Sequence, residues 1–80
     1  MKLMKIEVRL FNELQHYKPG EKNIFQIELN PDSSVNDLLE ELKIPNIAEY
    51  VVLVNGKRVF EKTLLNNNDT LVLFSPVAGG

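Results

Sequence analysis

Cysteine is absent from this chain of 80 residues. That excludes a disulfide scaffold, a thiolate metal site and a cysteine nucleophile. Histidine occurs once, as His16 in a polar stretch, where a solvated ring outweighs a general base. Glycine is sparse: Gly20 and Gly56 stand singly in turns, so no phosphate-cradling loop is present. Positive charge is not in excess either. Nine Lys and Arg face eleven Asp and Glu, a net charge of −2, which is not the footprint of a nucleic-acid binder. The pair Lys57-Arg58 is too small to change that and reads as a solubilising charge pair at a hairpin. Long apolar runs are missing, and Val51 to Val54 is far too short to cross a bilayer. The opening Met1 to Phe11 is broken by Lys2, Lys5, Glu7 and Arg9, so no secretory apolar core forms. The expectation is a soluble cytoplasmic protein with no nucleic-acid and no membrane partner.

What is there is one small domain, residues 1–80. A chain of this size buries only about 60% of its unfolded surface, so a deep catalytic cleft of its own is not expected. Leu3 to Phe11 alternates, with Ile6, Val8 and Leu10 on one face and Lys5, Glu7 and Arg9 on the other, the period of a half-buried strand. Asn12 to Asn23 holds the turn signal Pro19-Gly20, with room for one helical turn over Asn12 to Tyr17. Ile24 to Leu29 alternates again, and its closeness to the first strand predicts an antiparallel hairpin. Ser34 and Asp37 form a capping box ahead of Val35, Leu38, Leu39 and Leu42 at helical spacing. This predicts a helix over Val35 to Lys43, with Pro45 ending it. Its carboxylates Asp37, Glu40 and Glu41 read as a solvated outer face. Val51 to Val54 and Lys57 to Phe60 flank Asn55-Gly56, the strongest short hairpin signal. Leu71 to Phe74 is a continuous apolar run, as expected of a central strand covered on both faces. The predicted class is α+β, a mixed sheet of about four to five strands packed on one main helix. The aromatics Phe11, Phe25, Tyr50, Phe60 and Phe74 read mostly as core, with Phe74 singled out at the exit of the last strand.

No side chains assemble into an ordinary catalytic constellation, so attention falls on residues 76–80. Pro76 cannot donate to a strand ladder. Val77 and Ala78 are small, and Gly79-Gly80 offers bare backbone that can thread a narrow slot. Four residues past Pro76 span about 13–14 Å, enough to enter a partner's active site. The reachable group is then the carboxylate of Gly80. It is ionised at neutral pH and a poor electrophile, so its chemistry requires activation by a partner.

A strand-strand-helix-strand chain ending in Phe74-Ser75-Pro76-Val77-Ala78-Gly79-Gly80 resembles the MoaD/ThiS sulfur carriers, which are ubiquitin-like β-grasp proteins. The likeness is nearest to the small subunit of molybdopterin synthase. It runs over the whole chain and includes Phe11, Val54-Asn55-Gly56, and Leu64, Asp69 and Val72 before the tail. Ser75 departs from the family's first proline, and Asn68 from its turn glycine. The segment Asn12 to Asn23 is less helical and less arginine-rich than in the family. The resemblance implies that an E1-like enzyme adenylates Gly80 using ATP. Sulfur then replaces the adenylate, and the thiocarboxylate is donated within the molybdopterin synthase large subunit. It implies Gly80 and Gly79 as the reacting end, with Phe11, Phe74, Pro76, Val77 and Ala78 facing partners. It implies no bound cofactor and no metal. Three other functions fit the same residues: sulfur delivery to thiamine or a tungsten cofactor, a ubiquitin-like modifier joined through Gly80, or a β-grasp interaction module with an inert tail.

Overall fold

The alternation of apolar residues along Met4–Leu10 makes β1, whose Met4, Ile6, Val8 and Leu10 are all buried. In the computed structural model, which describes residues 2–45 and 50–75, β1 is followed by a 3-10 helix over Asn12–Tyr17. Next come β2 (Ile24–Leu29), helix α1 (Val35–Glu41), β3 (Val51–Val54), β4 (Lys57–Val59) and β5 (Thr70–Phe74). The strands form one five-stranded sheet in the order β2-β1-β5-β3-β4. β1 and β2 pair antiparallel, β1 and β5 pair parallel, and β3 pairs antiparallel with both β4 and β5. The sheet is therefore mixed, with β1 and β5 at its centre.

The core lies between α1 and one face of the sheet. Val35, Leu38 and Leu39 of α1 are buried, together with Val52, Leu71 and Leu73. Leu14 is fully buried, so the 3-10 helix is held by a core side chain rather than by helical propensity. Ile44 and Leu65 complete the core from loops.

The N-terminus of α1 follows the predicted capping box: Asp37 N–H donates to Ser34 Oγ (3.2 Å) and Ser34 N–H donates to Asp37 Oδ2 (2.8 Å). Val35 and Asn36 N–H donate to the carbonyls of Thr63 and Glu61, both at 2.9 Å, and Leu38 N–H to Ser34 O at 3.2 Å. The amides of Ser34, Val35, Asn36 and Asp37, the four that a helix leaves without internal partners, are thus all satisfied, and Leu38 N–H begins the internal ladder.

The other end departs from expectation. α1 stops at Glu41, and Pro45 does not end it. Lys43 adopts φ +61. Lys43 N–H donates to Glu40 O (3.0 Å) and Ile44 N–H to Leu39 O (2.9 Å). That is a Schellman motif, and the two residues its outer bond joins, Ile44 and Leu39, are both buried in the core. A lysine in the left-handed position carries no local signal, which hid this stop from the sequence.

Candidate functional site

The predicted reacting end, Gly79 and Gly80, lies outside the described residues, as do Pro76, Val77 and Ala78. What the structure shows is the platform from which they follow. Leu10 pairs with Leu73 across the central parallel ladder. Phe11 N–H, one residue past β1, donates to Leu73 O at 3.2 Å. Leu10 and Leu73 point into the core, so their neighbours Phe11 and Phe74 alternate onto the opposite, helix-free face. Phe11 keeps extended angles (φ −123, ψ 160), so the alternation holds through it. The register therefore places Phe11 and Phe74 on adjacent strands, on the same face and at the end of the sheet where β5 stops.

That placement corrects two expectations. β5 is not covered on both faces: α1 covers Leu71 and Leu73, while Val72 and Phe74 are half-buried on the open face. Phe11 and Phe60 are not core either, at 45% and 68% exposed.

Strand register arranges the open face in rows. Ile24, Arg9, Val72, Leu53 and Arg58 stand opposite one another across all five strands. The next row toward the tail holds Phe74 opposite Val51, and continuing the registers adds Phe11 on one side and Phe60 on the other. The row on the far side is polar, with Gln26, Glu7 and Thr70. Arg9 is engaged with Glu7 at 2.8 Å, while the Arg58 guanidinium lies 5.7 Å from the centre of the Phe60 ring. Lys57 and Arg58 are both exposed, as a hairpin charge pair would be, and Arg58 shares the open face with Leu53 and Val72. Sequence reading missed Val51, Leu53, Val72 and Phe60 as members of this face. Only the strand order brings them beside Phe11 and Phe74.

The platform is braced from below by the turn before β5. Asn55 and Gly56 take φ +53 and +84, as the hairpin signal requires. The Asn55 side chain also ties β3 to β5: Nδ2 donates to Asp69 Oδ1 (2.8 Å) and Oδ1 accepts from Thr70 N–H (3.0 Å). Asp69, buried at 8% exposure, accepts a second bond from Asn66 N–H at 2.7 Å. Asn68 takes the left-handed angle (φ +70) that glycine would take in the family pattern.

Other candidates are elsewhere and weaker. His16 is exposed, 5.6 Å from the Tyr17 ring. Asp37 is engaged in the helix cap, and Glu40 accepts from Asn36 Nδ2 at 3.1 Å. A shallow depression lined by Leu3, Glu28, Asp32 and Glu41 lies at the opposite end of the sheet from Phe74. Among the described residues, no His, Asp and Glu cluster could hold a metal, and no helix is long and apolar enough to cross a membrane.

A mixed five-stranded sheet on one main helix, with β1 and β5 parallel at its centre, is the ubiquitin-like β-grasp. The structure is similar to a ubiquitin from Caldiarchaeum subterraneum, at TM-score 0.64 and 16% identity, covering 99% of this chain and 100% of that one. The ThiS family model matches residues 8–80, and the chain belongs to that family. A Pyrococcus furiosus protein described as a candidate molybdopterin converting factor, subunit 1, is 26% identical at TM-score 0.73, covering 92% of this chain and 99% of that one. The small archaeal modifier protein 1 of Haloferax volcanii is 22% identical at TM-score 0.76, with the same coverage. No curated protein matches the sequence.

Proposed function

We propose that this protein is a sulfur carrier and the small subunit of a molybdopterin synthase, with Gly80 as the carrying residue. The observation that carries this reading is the family match running through residue 80, over a domain whose last strand ends at Phe74 on the open face. The likeness to the Pyrococcus furiosus protein supports the molybdopterin assignment.

The chemistry follows from the carboxylate. One oxygen of Gly80 attacks the α-phosphorus of ATP on an E1-like enzyme, forming an acyl-adenylate and releasing pyrophosphate. Hydrosulfide released by a sulfur donor then attacks the acyl carbon and expels AMP, and loss of its proton leaves a thiocarboxylate. The large subunit of the synthase supplies the site where that sulfur is passed on. The chain's own part is to dock by Phe11 and Phe74 and to present Gly79-Gly80, whose lack of side chains lets a narrow channel take them. Pro76, Val77 and Ala78 line that channel. The domain binds no cofactor in this scheme, and ATP belongs to the activating enzyme.

A second reading has its own support, the likeness to small archaeal modifier protein 1. In it the activated Gly80 acylates a lysine amine, which expels the leaving group and forms an isopeptide. Intact mass of the protein from its native cell, and after incubation with ATP, a sulfur donor and the cognate activating enzyme, separates the two. One oxygen replaced by sulfur at Gly80 is the expected result. Isopeptide-linked larger species without that change select the modifier. A mass that never changes, with the activating enzyme shown competent, overturns both.

A further inference from the structure

We propose that Arg58, held over Phe60 on edge strand β4, is a specificity-determining contact that takes an Asp or Glu carboxylate of the activating enzyme. This rests on the carrier reading above, because that reading says which partner must approach. Residues 76–80 span at most about 17–18 Å. An enzyme reacting at Gly80 therefore has to stand close to the end of β5, and the surface there is the row of Phe11, Phe74, Val51 and Phe60. The partner surface that fits this row is apolar at its centre.

Charge decides what must surround that centre. Two guanidinium groups lie in the row immediately behind, Arg9 and Arg58. Arg9 is matched within its own strand by Glu7 at 2.8 Å. Among the described residues Arg58 forms no salt bridge, and its guanidinium lies 5.7 Å from the centre of the Phe60 ring. A guanidinium resting near an aromatic ring leaves its fork of N–H donors available to a bidentate carboxylate. Covering the face without supplying that carboxylate would desolvate Arg58 unpaired, which is costly. Partners with apolar or basic surfaces are thereby disfavoured, as specificity by unpaired charge requires. Lys57 is the built-in control. It is adjacent in sequence and exposed, but strand alternation turns it away from Arg58.

The test is calorimetric titration of the full chain with the cognate activating enzyme, for wild type, Arg58→Glu, Arg58→Lys and Lys57→Glu, each checked for an unchanged thermal midpoint. Arg58→Glu is expected to weaken binding by about tenfold or more, and Lys57→Glu, with the same change in net charge, by less than about threefold. Arg58→Lys should fall between them, because lysine keeps the charge but loses the fork. Equal effects of Arg58→Glu and Lys57→Glu would overturn the assignment. Intact mass of the same samples keeps the two ideas apart. Binding that depends on Arg58 without any sulfur gained at Gly80 removes the carrier reading and keeps the contact. Sulfur gained equally fast by wild type and Arg58→Glu at sub-saturating protein keeps the carrier and removes the contact. No binding by wild type to a competent enzyme overturns both.

Discussion

Replacing Asn55 by glycine isolates the tie between β3 and β5. Glycine accepts φ +53 without Cβ strain, so the substitution removes the side chain's hydrogen bonds and leaves the turn. One of them reaches the buried Asp69 carboxylate at 2.8 Å, and a bond to a charged group contributes about 1.5–3 kcal/mol. The other, from Thr70 N–H at 3.0 Å, is exposed, so water replaces it and its loss costs about 0.5 kcal/mol. Added backbone freedom in the unfolded chain costs roughly another 0.5 kcal/mol. Together Asn55→Gly should lose about 3 kcal/mol, a large share of the roughly 4–12 kcal/mol expected of a domain this size. Asn55→Ala should lose about 1 kcal/mol more, because alanine adds the left-handed penalty. The assay is equilibrium urea denaturation at neutral pH, with an Asn55→Gly/Asp69→Ala double-mutant cycle to read the coupling directly. A loss under about 0.5 kcal/mol for Asn55→Gly would refute the reasoning, since that is the range of an ordinary surface change.

Lys43→Gly should raise stability by about 1 kcal/mol, because the Schellman position no longer holds a Cβ at positive φ; a lower urea midpoint would contradict it. Ser34→Ala should lose about 1 kcal/mol by opening the capping box at the start of α1, read in the same denaturation series. Adding one alanine after Gly80 should abolish activation by the E1-like enzyme while leaving the thermal midpoint unchanged. A lowered midpoint would mean that the tail supports the core. Phe74→Ala should weaken binding of the activating enzyme by about 2 kcal/mol, the scale of an aromatic anchor, and unchanged calorimetric affinity would take Phe74 out of the docking face.

The strands β1 and β2, the capped start of α1 and the Asn55-Gly56 hairpin were legible because each is written in neighbouring residues: a two-residue period, a Ser-x-x-Asp spacing, a turn that needs positive φ. The tail was legible for the same reason, and with it the family. The stop of α1 was not, because it is made by Lys43 at positive φ with Ile44 buried in the core beyond it, and neither is marked by a glycine or other local signal. Nor was the burial of Leu14, which depends on the 3-10 helix folding over the end of the sheet.

The open face shows the division most clearly. Alternation alone put Arg9 opposite the core side of its strand, and Phe74 stood out at the strand's exit. Whether those residues meet Val51, Leu53, Arg58 and Phe60 depends on the order β2-β1-β5-β3-β4, and that order is chosen by which apolar faces α1 can cover together. Local sequence therefore determined the elements and pointed to Gly79-Gly80 as the candidate end. Long-range burial of the core decided which side chains share a surface, because α1 covers one face of the sheet and leaves the other open.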